Sequence, residues 1–399
     1  MTARFDGWRE LSFGELVAHS AFGPRFGGDD YDDEGNVATL RTTDLEDDGR
    51  IDYATMPRAR LEEAHFQQHF LQPGDLVITR SGTCGIAAVF CGFHLPVLPG
   101  AFLVRFRLTE DADPRFIAHY FNSSSGRQHI LSVAKGAVQQ NLNITNVEAL
   151  RLQVPSIGTQ RSIASSLGAY DDLIDNNRRR IKLLEDSVRL LFDEWFVRAR
   201  LPTHLGAGHG DQPRHLSLDA ICEDVKVPVL PETLDPATPY VGFEHMPRRS
   251  ITLNDWGAVT DVSSTKLCYK EGEVVFGKIR PYFHKVGVAL TDGVCSSDAI
   301  VMRPKAPQWK SLLVALVSSD AFIASTAQGM KEGSKMPRAD WKQMKAYEIT
   351  VPSQRVLEAF NAVVEPILEQ CKTLALQSRS LRTARDLLLP RLMSGELTV

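Results

Sequence analysis

The sequence predicts an α+β protein that arose by duplication, with two strand-rich domains in tandem, each followed by a long helix. Two observations carry this prediction. A Val-Pro-Ser step occurs at 154–156 and again at 351–353, and each step separates a long β-like stretch from a heptad-patterned helical segment. The length of 399 residues also exceeds what a single core usually fills.

The two copies align by residue number with a nearly constant offset. Residues 74–80 (GDLVITR) match residues 272–278 (GEVVFGK) at an offset of 198, and later matches fall at 197. At one place the offset slips to 194, which predicts three additional residues in the helical part of the second copy. The later and weaker matches are Gly136 with Gly333, Asn143 with Asp340, Leu152 with Ile349, Leu190 with Leu387, Gln160 with Gln354 (the slipped pair), and Arg9, Leu11 and Ser12 with Arg214, Leu216 and Ser217.

Short runs rich in β-branched and aromatic residues, bounded by glycine or proline, predict the strands of each domain. Apolar residues at helical spacing predict a helical stretch late in each domain. The predicted strands are 75–79, 87–90, 102–108, 273–276 and 299–303, and the predicted helical stretches are 114–132 and 308–325.

The two long segments repeat apolar residues at alternating spacings of three and four, the period of a coiled-coil seam. Asn177 interrupts the first seam, and Gln370 and Gln377 interrupt the second. Pro366 predicts a short helix followed by a long one, because proline inside a helix removes a hydrogen bond. The predicted seam residues are Ile163, Leu167, Tyr170, Ile174, Asn177, Ile181, Leu184, Val188, Leu191 and Trp195, then Val356, Phe360, Val363, Ile367, Gln370, Leu374, Gln377, Leu381, Ala384 and Leu388.

Two seams of matching length in one chain favour mutual pairing over separate packing on each domain. We expect an antiparallel coiled coil with pseudo-two-fold symmetry, roughly 50 Å long at 1.5 Å per residue. Two reading domains at a fixed separation suit a split DNA target with an unread spacer. The expected boundaries are 1–155 for the first domain, 156–200 for the first helical region, 201–213 for the linker, 214–352 for the second domain and 353–399 for the second helical region.

Composition excludes several classes of protein. With 43% hydrophobic and 24% charged residues the chain reads as globular, and no apolar run is long enough for a membrane span. We therefore expect a cytoplasmic protein without a membrane partner, whose six cysteines are buried, reduced thiols. The net charge of −4 argues against non-specific coating of nucleic acid. An acidic run at 29–48 could face a partner protein or solvent.

Signatures of catalysis and of cofactor binding are not found in the sequence. There is no phosphate-binding GxxxxGK[ST] loop and no Asn/Asp-Pro-Pro-aromatic methyltransferase motif. His65 and His69 lack the glutamate of a zinc-binding HExxH motif, so we expect a surface or packed pair. Gly206, Gly208 and Gly210 follow no βαβ pattern and indicate a flexible connector. We expect no catalytic residue, no metal and no cofactor in this chain.

Two helical motifs resemble a known family. The segment QRSIASSLGAYDDLIDNNRRRIKLLEDSVRLLFDEWF, from Gln160 to Phe196, and the ending LRTARDLLLPRLMSGELTV, from Leu381, resemble the two conserved regions of type I restriction-modification specificity subunits. The resemblance covers nearly the whole chain, as target-recognition domain, helix, target-recognition domain, helix. The recognition domains resemble the family only in general pattern.

The resemblance implies a non-catalytic subunit with defined partners. It would bind two modification subunits, which are adenine-N6 methyltransferases that use S-adenosylmethionine, and through them restriction subunits that use ATP and Mg. Each recognition domain would read one half of a bipartite double-stranded DNA site. The paired helices would set the length of the gap.

Residues that contact DNA are expected on loops that a rigid domain holds in place, since Arg, Lys, Asn and Gln present donors and amides to base edges. Two matched pairs of loops supply candidates, and solvated turns are the alternative. The candidates in the first copy are Arg80, Ser81, Thr83, Lys135, Gln139, Gln140 and Asn141, and those in the second are Lys278, Arg280, Tyr282, Lys331, Ser334 and Lys335. The run from Arg178 to Arg180 fits a solvated helix face better than a phosphate clamp.

Two other functions compete with DNA recognition. A duplicated scaffold could bind protein or glycan, with a purely structural coiled coil, and a self-contained nuclease or methyltransferase would need motifs that are not found here. The sequence leaves open the recognised bases, the spacer length, the presence of a restriction subunit and the affinity of the chain for DNA without its partners.

Overall fold

The computed structural model describes residues 7–134, 141–205, 212–328 and 336–397. They fall into two compact units. The first lies within Met1–Asp172 and Leu381–Val399, and the second is Leu173–Ser380. Each unit thus combines one strand-rich domain with parts of both long helices.

The strand-rich domain of the first unit contains two small sheets and a ribbon. One sheet is antiparallel with strand order β2-β8-β5-β6, the other has the order β4-β3-β7, and β1 pairs with β9. The strands are β1 (Arg9–Ser12), β2 (Val17–Phe22), β3 (Val37–Leu40), β4 (Arg58–Ala59), β5 (Leu76–Thr79), β6 (Ala87–Val89), β7 (Val97–Pro99), β8 (Leu103–Leu108) and β9 (Arg151–Val154). The helices are α1 (Glu63–Phe66), α2 (Pro114–Asn122), α3 (Ser124–Ser132), α4 (Ile144–Glu148) and the long α5 (Ile157–Phe192), which enters the second unit.

The predicted helical stretch 114–132 is two helices. Asp113 caps α2, with its carboxylate accepting hydrogen bonds from the backbone amides of Arg115 and Phe116. The chain then turns at Ser123, whose extended backbone ends α2 and whose hydroxyl accepts from the amide of Gly126 at the start of α3. A residue that caps one helix interrupts a longer one, because its own backbone leaves the helical region.

The strand-rich domain of the second unit has the same plan with longer sheets. Its two five-stranded sheets have the orders β11-β20-β17-β18-β14 and β12-β16-β19-β13-β15, and β10 pairs with β21. The strands are β10 (Arg214–Ser217), β11 (Cys222–Val225), β12 (Pro228–Val229), β13 (Pro239–Val241), β14 (Thr252–Leu253), β15 (Gly257–Ala258), β16 (Lys266–Tyr269), β17 (Val274–Gly277), β18 (Val286–Ala289), β19 (Gly293–Ser296), β20 (Ala299–Pro304) and β21 (Glu348–Val351). The helices are α6 (Leu218–Ile221), α7 (Lys310–Val317), α8 (Asp320–Gln328), α9 (Trp341–Met344) and α10 (Gln354–Met393), so the predicted stretch 308–325 is also divided.

Strand pairing supports the duplication inferred from the sequence. Thr79 faces Leu103 in the first unit as Gly277 faces Ala299 in the second, and the ribbons β1-β9 and β10-β21 correspond. The prediction of three additional residues in the helical part of the second copy, which came from the offset of 194, was wrong. Both long helices begin directly after the serine of the Val-Pro-Ser step, so the offset stays at 197 into the helices and no insertion is needed.

The two long helices pair in opposite directions inside each unit. In the second unit Asn177 contacts Gln377. Further along the chain Trp195, just past the end of α5, packs on Phe360 near the start of α10, with ring centroids 6.0 Å apart. In the first unit Arg385 contacts Asp171, with Nη1 2.6 Å from Oδ1. The core of the same unit includes Ile163, Ala164 and Leu167 of α5 together with Leu389, Leu392 and Met393 of α10.

The burial of the predicted seam residues differs between α5 and α10. In α5 the seam residues Ile163, Leu167, Ile174, Asn177, Ile181 and Val188 are buried, and Leu184 and Leu191 are partly buried. In α10 Val363 is 43% exposed and Gln370 is exposed, whereas Val364 and Cys371 are buried. The buried face of this helix lies one residue further on there. Leu374 is buried and Ile367, Leu381 and Leu388 are partly buried.

Two further expectations were wrong. Pro366 does not divide α10, which runs unbroken from Gln354 to Met393. Pro366 is exposed, and the buried Phe360, Val364 and Cys371 on the opposite face hold the helix together across it. Among the cysteines, Cys91 is exposed and Cys268 is only partly buried, while the other four are buried thiols.

No single helix in the described ranges is long and apolar enough to cross a membrane. Residues 307–317 and 320–328 reach that threshold only as a pair bent by 69°. Residues 311–317 of that pair are all buried in the core of the second domain.

Candidate nucleic-acid interface

The loop that follows β5 is fixed by its own hydrogen bonds. The hydroxyl of Thr79 donates to the carbonyl of Thr83 at 2.5 Å and accepts from the amide of Ile86 at 2.9 Å. Gly82 and Gly85 have φ values of +77° and +84°, which other residues rarely adopt. The loop is therefore a rigid platform, with Thr83 exposed at its tip and Ser81 buried at its base.

Arg80 lies at the start of this loop, between an aromatic ring and a neighbouring strand. Its backbone amide donates to the carbonyl of Phe102 at 2.9 Å, and its guanidinium lies over the ring of Phe22, 4.3 Å from the centroid. Phe102 itself is 59% exposed. The ring of Phe22 thus fixes the position of the partly exposed cation of Arg80.

A second segment joins the loop at Asn141. The amide of Leu142 donates to the carbonyl of Arg80 at 2.9 Å, and Ser81 and Asn141 form an isolated antiparallel bridge. Arg80, Ser81, Thr83 and Asn141, all predicted from the sequence, thus belong to one end of the first domain. Asn141 is exposed there.

The second domain builds the same frame after β17. The amide of Lys278 donates to the carbonyl of Asp298 at 3.1 Å, and the carbonyl of Lys278 accepts from the amide of Ala339 at 2.9 Å. Ile279 and Arg338 form the isolated bridge that corresponds to Ser81 and Asn141. The two domains thus present equivalent positions to their surroundings through equivalent backbone contacts.

A short turn that follows this frame presents Tyr282. Arg280 and His284 flank the 3-10 turn 281–283 with φ values of +49° and +55°, and Tyr282 between them is exposed. His284 is buried, its Nε2 lies 2.8 Å from the carbonyl oxygen of Ser318, and burial lowers its pKa. The buried imidazole thus ties the base of the turn to Ser318.

Positive side chains surround the turn in the second domain. Arg248 lies over the ring of Phe283 at 4.2 Å, and Lys285 donates to the carbonyl of Phe243 at 2.5 Å. Burial lowers the pKa of Lys285, and the nearby Arg248 adds to the effect. Arg248 is exposed, and Lys278, Arg280 and Lys285 are partly exposed, so four positive side chains lie at or near this turn.

The acidic run of the first domain is largely engaged in internal ion pairs. Asp44 is buried against Arg41 at 2.8 Å, Arg50 bridges Glu46 and Asp48 at 2.7 and 2.8 Å, and Asp32 pairs with Arg60 at 2.8 Å. Local pairing therefore offsets much of the negative charge that the sequence places in this domain.

Six predicted candidates lie outside the described residues: Lys135, Gln139, Gln140, Lys331, Ser334 and Lys335. So do Gly206, Gly208 and Gly210 of the predicted linker. Sequence reasoning missed Phe102, Asp298 and Arg338. Extending the alignment by number would have matched Arg338 to Asn141 at the offset of 197. The match of Asp298 to Phe102 follows from the strand pairing, because Leu103 faces Thr79 as Ala299 faces Gly277.

Metal-binding arrangements do not occur in the ranges that the structure covers. No group of three or more His, Cys, Asp or Glu side chains there could hold an ion. His65 is exposed and lies 3.6 Å from Glu62, and the exposed run Arg178 to Arg180 includes an ion pair of Arg179 with Asp175 at 2.6 Å.

Comparisons with known proteins agree with these features. Residues 31–186 match the family model described as the type I restriction modification DNA specificity domain. The specificity subunit of the type I restriction enzyme MjaIX of Methanocaldococcus jannaschii is 21% identical over 305 residues, which are 71% of this chain and 69% of the relative. The EcoKI specificity subunit of Escherichia coli is 29% identical over 154 residues, 35% of this chain and 33% of the relative.

A solved structure shares the fold along the whole chain. The S subunit of a type I restriction-modification system from M. genitalium superimposes with a TM-score of 0.61 at 15% identity, covering 98% of each chain. Residues 31–186 thus match the type I restriction modification DNA specificity domain, and the duplicated chain shares its fold with a solved S subunit. The chain is similar to type I restriction-modification specificity subunits, as the helical motifs of its sequence indicated.

Proposed function

We propose that each strand-rich domain reads one half of a bipartite, asymmetric site in double-stranded DNA. The observation that carries the proposal is the equivalent frame in the two units, in which Arg80 and Lys278 make the same backbone contacts while the exposed side chains around them differ. One frame with two sets of side chains suits two different half-sites, because base edges are read by side chains on a rigid support.

Within this proposal the candidate residues divide by role. Arg80, Lys278 and Arg280 carry the charge that phosphate contacts need, and Thr83, Asn141 and Tyr282 are exposed polar groups of the same two ends. Ser81, also predicted from the sequence, is buried and would support the loop. Lys135, Gln139, Gln140, Lys331, Ser334 and Lys335 are proposed from the sequence alone. Phosphate contacts would position the domain, and the polar contacts would distinguish bases.

We further propose that the long helices recruit two modification subunits, the adenine-N6 methyltransferases that use S-adenosylmethionine, and through them restriction subunits that use ATP and Mg. Exposed leucines support this. Leu190 on α5 and Leu387 on α10 occupy equivalent positions and are 63% and 69% exposed. Exposed apolar side chains repeated in this way suit two copies of one partner. The same helices would set the length of the unread gap.

The test is to express the chain with its modification subunit and to map methylated adenines in the DNA by methylation-aware sequencing. We expect a split motif, and size-exclusion chromatography with mass measurement should give two modification subunits per chain. Exchange of residues 1–155 for the domain of a relative should change one half-site only. An unchanged motif after this exchange would instead favour a scaffold that binds protein or glycan.

A further inference from the structure

Two equivalent positions in the recognition frames carry different base-reading side chains. Asn141 bridges to Ser81 in the first unit, and Arg338 bridges to Ile279 in the second. Both side chains are exposed, Arg338 to 58%. The backbone at each position pairs with the loop that follows β5 or β17. The position of each side chain on the domain surface is therefore fixed.

The neighbour of each position differs in a correlated way. The residue just before β20 is Asp298, and its carboxylate lies 3.3 Å from Nη2 of Arg338. The residue just before β8 is Phe102, which is exposed and carries no charge. Arginine therefore occurs where a carboxylate can orient it, and asparagine occurs where the residue equivalent to that carboxylate is apolar.

We propose that the residue pairs Phe102/Asn141 and Asp298/Arg338 are the specificity-determining pairs of the two domains, reading an adenine in one half-site and a guanine in the other. This inference rests on the proposed function. An asparagine amide forms two hydrogen bonds with N6 and N7 of adenine, and an arginine guanidinium forms two with O6 and N7 of guanine.

The neighbours fit the same assignment. A carboxylate that holds one side of a guanidinium leaves its planar fork oriented for two parallel hydrogen bonds, which suits guanine. Phe102 takes the place of Asp298 in the frame of the first domain, and its exposed ring can contact the methyl group of thymine in the paired or adjacent base. The first domain would therefore prefer an A·T pair at this position and the second a G·C pair.

The experiment transfers one pair onto the other domain. The double variant Phe102→Asp/Asn141→Arg is prepared as a complex with the modification subunit, and its methylation motif is compared with that of the unaltered complex. We expect one position of one half-site to change from A·T to G·C, with the other half-site unchanged. A bidentate contact discriminates by roughly 5- to 160-fold, which sets the size of the expected change.

A second variant makes the test independent of how the first domain tolerates the double change. Arg338→Gln alters an exposed side chain and should move the preference of the other half-site from guanine towards adenine, since glutamine pairs with adenine as asparagine does. Matched controls are Gln153→Arg on the exposed face of β9 and Lys270→Gln in its exposed ion pair with Asp292, which should leave the motif unchanged.

The outcomes separate this inference from the proposed function. If the unaltered complex methylates a split site and both variants keep every base of that site, the assignment of these pairs is wrong while the proposed function stands. If the control variants alter the preference for the same base as the test variants do, the change in preference is due to charge alone. The assignment is then also wrong. If the unaltered complex recognises no split site, the proposed function itself fails.

Discussion

The side-chain amide of Asn177 donates to Oε1 of Gln377 across the two long helices, with Nδ2 and Oε1 3.2 Å apart. Asn177 is only 5% exposed, between the buried Ile174 and Ile181, whereas Gln377 is exposed. A polar residue in an apolar seam favours the one register in which it has a partner, at some cost in stability. This contact therefore fixes how α5 and α10 align in the second unit.

The first prediction concerns this amide pair. Gln377→Ala should lower the free energy of unfolding by about 1–2 kcal/mol, because it removes a hydrogen bond and leaves a buried amide behind. Asn177→Leu should be neutral or stabilising, since it replaces the buried amide with an apolar side chain. Urea denaturation of the complete chain measures both. The double variant should resemble Asn177→Leu alone, and a simple sum of the two single effects would show that the residues are not coupled.

The second prediction concerns Glu185 of α5, which ties the helix to the start of β14. Its Oε1 accepts hydrogen bonds from the amides of Ile251 and Thr252 at 3.1 and 2.9 Å and from the hydroxyl of Ser250 at 2.8 Å. Glu185→Ala should cost about 2–4 kcal/mol, because two buried amides lose their acceptor. Glu185→Gln keeps a carbonyl acceptor and should be tolerated. Equal losses in both variants would contradict the proposed role of the acceptor.

A pH dependence follows from the same residue. Burial raises the pKa of Glu185, against the opposing effect of its hydrogen bonds and of Arg189. Below the ordinary glutamate pKa, about pH 4, both folded and unfolded states hold the proton. As pH rises above that value the unfolded state releases its proton first, so stability falls with rising pH through this window. Denaturation curves at several pH values should show that the free energy of unfolding of Glu185→Gln increases relative to that of the natural chain as pH rises. The same pH dependence in both proteins would contradict this.

Sequence predicted the fold well where the physical signal is local. The heptad pattern of α5 rests on large aliphatic residues such as Ile174 and Ile181, and its buried face was identified correctly. Along α10 small or polar residues share the buried face, including Cys371, Ala375 and Ser378. A seam predicted from large apolar residues therefore included Val363 instead of its buried neighbour Val364.

The candidate interface was predicted only as separate loops. The bridge between Ser81 and Asn141 joins residues 60 positions apart, and no local pattern signals such a contact. Asp298 looks like a turn residue in the sequence, and its ion pair with Arg338 depends on the folded frame. Duplication was the stronger guide, because one unit predicts equivalent positions in the other.

The third prediction concerns Pro366 inside α10. Proline in a helix interior removes one hydrogen bond and crowds the preceding turn, at a cost of about 3 kcal/mol, while it restricts the unfolded chain by about 1 kcal/mol. Pro366→Ala should therefore raise the free energy of unfolding by about 1–2 kcal/mol. Pro390→Ala, an exposed proline in the last turn of the same helix, is the matched comparison and should have a smaller effect, since helix ends fray. Destabilisation by Pro366→Ala would show that the proline shapes the helix instead of merely being tolerated.

The fourth prediction tests whether the helices set the gap of the recognised site. Seven residues, with an apolar pattern continuing the seam, are inserted into both α5 and α10 next to the contacting residues Asn177 and Gln377. A heptad adds two turns and about 10.5 Å while it preserves the faces that pack together. Because one base pair rises about 3.4 Å, the unread gap should lengthen by about three base pairs while both half-sites keep their bases. Insertion into α5 alone is the comparison, since it displaces one seam against the other and should reduce stability without creating a defined new gap. Methylation-aware sequencing gives the gap length directly, and an unaltered gap after the paired insertion would rule out the helices as the element that determines it.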